Sequence, residues 1–407
     1  MNVIPGGVTA PIGFEAAGVE AGIKYENRKD MAIIYSLAPC VAAGTFTTNV
    51  VKAAPVQWDR KLVEESPFVQ AVVVNTGIAN AGTGSEGLRR CMETAEEAGR
   101  VLGLPADAIL IGSTGVIGPQ LPMDRIKAGV AKLAAAKART PESGTDAAKA
   151  IMTTDTVHKE FAVQVEIGGV TVTLGAISKG SGMIHPNMGT MLSYVCTDAV
   201  IGKETLTALV KADAADTYNM ISVDGDTSTN DTFLVLANGM AGNPEILPGT
   251  SDYEAFKAAL HLVNETQAKR LAGDGEGATC LVECVVTGAD TKQDARILAR
   301  SVICSSLTKA AVFGRDANWG RILCALGYSG AQFDPERMEI AYEGGGKKIV
   351  IYRDGLGVDF DEAEASAILS LLEVRILADM KMGSASATAW GCDLTYDYVK
   401  INGDYRS

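Results

Sequence analysis

A chain of 407 residues, 47% hydrophobic and 21% charged, has the length and composition for an ordinary globular core in two or three structural units. Its formal net charge of −13 and the lack of any dense Lys/Arg run argue against nucleic acid or an anionic membrane as partner, because binding phosphates needs clustered cations. No run of about 18 apolar residues exists to span a bilayer, and Met1-Asn2-Val3-Ile4-Pro5-Gly6-Gly7 lacks the basic flank and apolar stretch of a signal peptide.

In chain order, residues 68–74 read as a buried strand ending in Asn75-Thr76-Gly77, and 87–102 as a helix with Leu88, Cys91 and Ala95 at helical spacing. A short apolar strand over 108–112 delivers the chain to Ser113-Thr114-Gly115-Val116-Ile117-Gly118. Residues 146–152 are helical and lead into Thr153-Thr154-Asp155-Thr156. Alternating apolar residues from Phe161 to Ile167 and from Val170 to Leu174 flank Gly168-Gly169, a two-residue hairpin signal. A strand follows over 191–196, a helix over 253–271, and a strand over 278–286. A second hairpin joins 338–342 to 348–353 through Gly344-Gly345-Gly346, and 362–378 reads as one helix. Strands that pair in hairpins with helices between them predict antiparallel or mixed sheets packed together and covered by helices, not a parallel doubly wound sheet. No repeat or linker marks a domain boundary. The cysteines (Cys40, Cys91, Cys196, Cys280, Cys284, Cys304, Cys324, Cys392) have no CxxC spacing and read as reduced core residues of a cytosolic protein.

The segment Lys179-Gly180-Ser181-Gly182-Met183-Ile184-His185-Pro186-Asn187-Met188 runs into Gly189-Thr190-Met191-Leu192. It reads either as a turn feeding a buried strand or as a self-cleavage site between residues 189 and 190 that exposes Thr190 as a nucleophile. A threonine at a new chain end carries its own base, an α-amine with a reference pKa of roughly 7.7–8.0 against roughly 10.4 for lysine. Glycines at 180, 182 and 189 permit close approach to the Gly189 carbonyl.

Other segments supply candidate partners. Ser113-Thr114-Gly115, at a strand end, offers backbone N–H groups and a hydroxyl to a developing oxyanion, or is a plain strand-terminating turn. Lys179 is either a surface lysine or a carboxylate binder, and Thr153 and Thr154 either leave a helix or give hydroxyls to a ligand. Gly273-Asp274-Gly275-Glu276-Gly277 follows a helix instead of opening one and carries two carboxylates, which disfavours phosphate and makes Glu276 a candidate for an ammonium group. Asp224-Gly225-Asp226-Thr227-Ser228-Thr229-Asn230-Asp231 lacks the glycine and glutamate of a calcium loop, and His158, His185 and His261 are too scattered for catalytic zinc. No metal is expected. Phe313-Gly314-Arg315-Asp316-Ala317-Asn318-Trp319-Gly320-Arg321 is either a ligand loop or an Arg–Asp knot.

Taken in order, Ser113-Thr114-Gly115-Val116-Ile117-Gly118, Met152-Thr153-Thr154-Asp155, residues 179–190, Ser222-Val223-Asp224-Gly225-Asp226-Thr227, Gly314-Arg315-Asp316-Ala317-Asn318-Trp319-Gly320 and Asn402-Gly403-Asp404-Tyr405-Arg406-Ser407 span the chain. Together they resemble the ornithine acetyltransferase (glutamate N-acetyltransferase) family of arginine biosynthesis. The resemblance implies an N-terminal-nucleophile-like αββα sandwich over residues 1–285, self-cleaved between 189 and 190, and a smaller α/β domain over 286–407 whose tail returns to the active site. It implies acetyl transfer from N2-acetylornithine to glutamate through an acetyl-Thr190 intermediate. By the same resemblance Thr114 and Gly115 form the oxyanion hole, and Thr153 or Thr154, Lys179, Thr190, Glu276, Asn402 and Ser407 bind substrate. It further implies a cytoplasmic heterotetramer of two copies of each fragment, without a cofactor, and leaves acetyl-CoA open as a second donor. Gly189 stands where the family has Ala, His185 where it has a small residue, and Ser407 where it has Thr. A threonine-nucleophile aminopeptidase or amidase of related fold is the alternative.

Overall fold

The computed structural model describes residues 1–185 and 191–403. Strands β1 (Asn2–Ile4), β2 (Phe14–Val19) and β3 (Met31–Phe46) come first, followed by α1 (Ala54–Glu65), β4 (Val69–Asn75), α2 (Gly84–Leu102), β5 (Ile109–Ser113), α3 (Met123–Ala136) and α4 (Pro141–Ala150). The hairpin of β6 (Lys159–Ile167) and β7 (Val170–Lys179) precedes β8 (Leu192–Thr197), α5 (Lys203–Ala214), β9 (Ile221–Ser222), β10 (Thr232–Ala237) and α6 (Ser251–Gly273). Next come β11 (Leu281–Ala289), α7 (Lys292–Cys304), α8 (Ser306–Phe313), α9 (Trp319–Gly327), β12 (Glu339–Gly344) and β13 (Lys347–Arg353). Last are β14 (Leu356–Gly357), α10 (Glu362–Leu369), β15 (Glu373–Asp379), β16 (Ala385–Cys392) and α11 (Tyr396–Gly403).

Two units divide the chain. One comprises Met1–Gly180, Pro186–Ala215 and Thr227–Gln267, the other Ser181–His185, Asp216–Asp226 and Ala268–Ser407. Strands of the first unit run in the order β1-β6-β7-β8-β10-β3-β4-β5, with β2 on the side of β3. The long β3 serves two neighbourhoods: Met31–Tyr35 pair with β2 and β4, and Val41–Phe46 pair with β10, with an irregularity between Tyr35 and Cys40. That bend folds the sheet over on itself. Gly112 of β5 and Tyr194 of β8 are four strand spacings apart along the ladder, about 19 Å at the usual separation. A Cβ on Gly112 would nevertheless collide with the Tyr194 hydroxyl, so the two halves meet face to face.

Side-chain alternation sorts the layers. Val72, Val74 and Leu110 point inward to one core with Tyr194, Cys196, Leu234 and Leu236. Their neighbours Ala71, Val73, Ile109 and Ile111 point outward against Cys91, Ala95 and Ala98 of α2 and Ile126, Val130 and Leu133 of α3. Against β3 lies α5, burying Leu206, Leu209 and Val210, none of which belongs to that inner core. The mixed α/β, αββα sandwich expected from the sequence is therefore present. The Gly168-Gly169 turn has φ of 57° and 80°, as a two-residue hairpin requires.

In the second unit the strand order is β14-β13-β12-β15-β11-β16-β9, with α7 packed on β11 and β16. Ala295, Leu298, Ala299, Val302 and Ile303 form its buried stripe, and the Thr291 hydroxyl accepts the Asp294 N–H at its start. The single helix expected over 362–378 is corrected here: α10 ends at Leu369 and β15 follows. Val374, Ile376 and Ala378 are buried and alternate with exposed Glu373 and Arg375 and half-buried Leu377 and Asp379, a period of two, and pairing with β11 on one side and β12 on the other outweighs the helix-forming composition. Residues 314–318 join α8 to α9. There Asn318 accepts the Arg321 N–H at 3.1 Å and donates to Asp316 at 3.0 Å, so Asp316 is held by Asn318 and not by Arg315.

Six of the cysteines are buried, Cys304 is half-buried and Cys324 is exposed, a departure from an all-core reading. Among the described residues no helix is long and apolar enough to cross a membrane, and no group of three or more His, Cys, Asp or Glu is arranged to hold a metal. Leu110 joins the two sheet halves and has no exposed surface. Leu110→Ala is expected to lower unfolding free energy by about 2–5 kcal/mol, read from the midpoint of urea denaturation.

Candidate active site

In the first unit, β5 ends at Ser113 and the chain turns through Thr114 and Gly115. Thr114 is buried and its N–H donates to the Asn75 carbonyl at 3.1 Å. Gly115 has φ of 130°, and a Cβ there would strike the backbone of Gly77, so only glycine fits. The turn is braced from below. Ser113 Oγ donates to Asn75 Oδ1 at 2.6 Å, Asn75 Nδ2 to the Ile78 carbonyl at 2.9 Å, and Asn230 Nδ2 to the Ala79 and Ser113 carbonyls at 2.6 and 2.8 Å.

Lys179, at the end of β7, is 8% exposed, which removes the surface-lysine reading, and its Nζ donates to Thr114 Oγ1 at 3.2 Å. An ammonium has protons only to give, so Thr114 Oγ1 is the acceptor in that pair and keeps its own proton for another acceptor. Thr114 and Lys179, both singled out from sequence, are thus brought together. Because the Thr114 N–H is already spent on Asn75, the donors the turn can aim at an oxyanion are the Gly115 N–H and the Thr114 hydroxyl.

Beneath them is Asp155. Its Oδ1 accepts from Lys159 Nζ and from the Gly180 N–H, both at 2.7 Å, and its Oδ2 accepts from the Thr153 N–H at 3.0 Å. The Asp155 and Lys159 side chains have no exposed surface. Burial works to raise the Asp155 carboxyl, but the Lys159 and Lys179 ammonium groups and the donated hydrogen bonds outweigh it and hold it down at about 2. Thr153 is half-buried, its carbonyl accepts from Arg28 at 3.1 Å, and it lines a cavity of about 500 Å³ with Arg28, Lys149 and His158. Thr154 is half-buried as well.

The second unit holds the other candidates. Glu276 is buried, its N–H donates to the Ser181 carbonyl at 2.9 Å, and its Oε2 accepts from Asn402 Nδ2 at 2.7 Å. Gly182 makes room for that carboxylate, since a Cβ on it would overlap the Glu276 side chain. Glu276 and Asn402 are therefore brought together by α11. Asp224 pins the same segment by accepting the Met183 and Ile184 N–H groups at 2.6 and 2.9 Å, and burial raises its carboxyl despite these bonds. His185 Nε2 accepts from Arg300 at 2.8 Å, which leaves the neutral ring's proton on Nδ1, 3.1 Å from Ser222 Oγ. Burial, then the Arg300 charge, pushes its pKa down to about 4.

Gly189, Thr190 and Ser407 lie outside the described residues. Sequence reading gave no role to Asn230, Asp224 or Asp155 as individual residues. Asp155 stood in a recognised polar cluster and Asp224 in a motif that carries the family resemblance, whereas Asn230 stood in the segment weighed only as a calcium loop.

Asp155 ties stability to pH. Its folded pKa of about 2 lies below the ordinary aspartate value of 3.8, so the unfolded chain binds more protons between those values and the contribution is complete above about pH 4 and lost as pH falls through about 2. Asp155→Asn is expected to cost about 3–5 kcal/mol at pH 7, because it strips a carboxylate from a buried ammonium. It should also remove that part of the acid-side slope in urea denaturation curves taken from pH 5 to 2.

Comparison with known proteins follows the same lines. The profile of the ArgJ family matches residues 15–407. The chain is 55% identical over 409 residues to the Symbiobacterium thermophilum protein named arginine biosynthesis bifunctional protein ArgJ, covering 100% of each. It is 52% identical to arginine biosynthesis bifunctional protein ArgJ 1 of Clostridium acetobutylicum, covering 97% of this chain and 96% of that one. A crystal structure of arginine biosynthesis bifunctional protein argJ from Bacillus halodurans is similar with a TM-score of 0.50 at 45% identity, over 52% of this chain and 97% of that one. The chain belongs to the ArgJ family.

Proposed function

We propose that this chain is a self-processing acetyltransferase of arginine biosynthesis that moves acetyl from N2-acetylornithine to glutamate. The observation that carries the reading is the Thr114–Lys179 hydrogen bond, which leaves the Thr114 hydroxyl proton and the Gly115 N–H as donors on a turn rigid enough to hold them. Thr190 Oγ attacks the Gly189 carbonyl, the acyl group moves from nitrogen to oxygen, and water hydrolyses the resulting ester. This frees the Thr190 amine. A solved relative that aligns over 97% of its own length to only 52% of this chain has the size that one cut near the middle leaves.

In the transfer reaction the Thr190 amine takes the hydroxyl proton as Oγ attacks the acetyl carbonyl, and Thr114 and Gly115 receive the oxyanion. The proton then goes to the departing α-amine of ornithine. The glutamate amine attacks the acetyl ester in the second half, and Thr190 leaves protonated. Lys179 pairs with the substrate carboxylate and Glu276, held by Asn402, with the ammonium end, while Thr153 or Thr154 and Ser407 add hydroxyls. Two copies of each fragment assemble into a heterotetramer in the cytoplasm, with no cofactor.

Denaturing mass spectrometry with N-terminal sequencing is expected to find two fragments, the second beginning at Thr190, and Thr190→Ala to give one uncut, inactive chain. Incubation with N-acetylornithine and glutamate should yield N-acetylglutamate and ornithine. Acetate as the sole acetyl product would mark an amidase instead, and an uncut active chain would remove the mechanism. Thr114→Val, measured on cleaved protein, should lower kcat about 100- to 1000-fold with little change in KM, as loss of one oxyanion donor does.

A further inference from the structure

The first unit carries a cavity of about 630 Å³ between the end of β3, α1 and α5, and its lining includes Lys52, Arg60, Lys203 and Lys211 against one carboxylate, Glu64. This sign is opposite to that of the chain, whose formal charge is −13. Lys203, Thr207 and Lys211 are spaced by four along α5 and so share one helix face. Glu64 is already paired with Arg60 at 3.2 Å, and among the described residues neither Lys52, Lys203 nor Lys211 forms an ion pair. Lys203 instead donates to the Val63 carbonyl, and burial pushes its pKa down with no acid to oppose the shift. Gathering cations without counter-charge costs free energy that a bound anion would offset.

Thr45, Phe46, Thr47, Thr48 and Thr207 also line this space. Its volume falls within the range of small-molecule sites, and the chain's acidity disfavours a polynucleotide. We propose that this groove binds a small diphosphate, either free or as the diphosphate of a nucleotide, through Lys52, Arg60, Lys203 and Lys211. Multiple oxygens per phosphorus suit several cations lining one groove. The groove also has a route to the turn described above. Thr47 Oγ1 donates to the Ser228 carbonyl at 2.7 Å, the Ala53 N–H to the Thr229 carbonyl at 2.9 Å, and Asn230 holds the Ser113 carbonyl.

The test is calorimetric titration of the full-length protein with inorganic pyrophosphate, with ADP, and with citrate as a polycarboxylate of similar charge, which requires no turnover and does not depend on the acyl-transfer reading. Both the double variant Lys52→Glu/Lys211→Glu and the single Lys211→Glu, at an exposed helix position, should melt as the parent does. The expected result is saturable binding of pyrophosphate or ADP, weakened roughly tenfold or more by the double variant, several-fold by the single one, and by added salt. Equal affinity for the two phosphates assigns the free diphosphate, and tighter ADP binding assigns a nucleotide. Absence of binding, affinity unchanged in the folded variants, or citrate binding as tightly as both phosphates would overturn the proposal.

Discussion

A single buried carboxylate organises the electrostatics of the first unit. Asp155 accepts from the Lys159 ammonium, the Gly180 N–H and the Thr153 N–H at once, and its charge also acts on Lys179. Each of these would be costly to bury alone, and an ion pair removed from water is tolerated only when its remaining hydrogen-bonding capacity is satisfied. The consequence is positional. Lys179 and Gly180 are the last residues of that unit before the chain crosses to the other, so the charge hub fixes the direction in which the strand end presents its ammonium to Thr114.

The Thr114 turn complements this hub by restricting donors. A turn with two spare backbone N–H groups could polarise a carbonyl without side chains, but here one amide is consumed by Asn75. The threonine hydroxyl beside it accepts from the Lys179 ammonium, so its own proton is directed to another acceptor. In the second unit Glu276 is treated differently: it is buried on a glycine turn, against a glycine that leaves room for it, and bonded to one neutral amide. One site is tuned by excess positive charge, the other keeps a carboxylate partnered without neutralising it.

Much of the fold was legible because short-range rules decided it. The Gly168-Gly169 hairpin follows from a turn that needs positive φ at both residues, and β4 and β5 follow from compact apolar runs bounded by turn residues. The failure at β15 has the complementary cause. Its Leu- and Ala-containing sequence after α10 suits a helix locally, and only pairing with β12 and with β11, whose residues stand about 90 positions away in the chain, makes it a strand. The same division runs through the candidate site. Thr114 and Gly115 announce themselves as a strand-end turn, whereas Asn230 lies 117 residues from the carbonyl it braces. Lys159, four residues after Asp155, gives no local sign that both side chains lack any exposed surface.

The strand order gives the proposed cut an unusual topology. Opening the 189–190 bond would place β8 and β10 on the downstream piece, yet their outer neighbours, β7 and β3, both belong to the upstream one. The two polypeptides would be interleaved like fingers of clasped hands, each holding the other by hydrogen-bonded ladders along the seam. Such pieces can part only by dismantling the sheet, and once parted each would lack the edges it needs to refold alone. Nicking would therefore convert a reversible unfolding equilibrium into one that depends on concentration, and the mature protein's persistence would be governed by how slowly it opens.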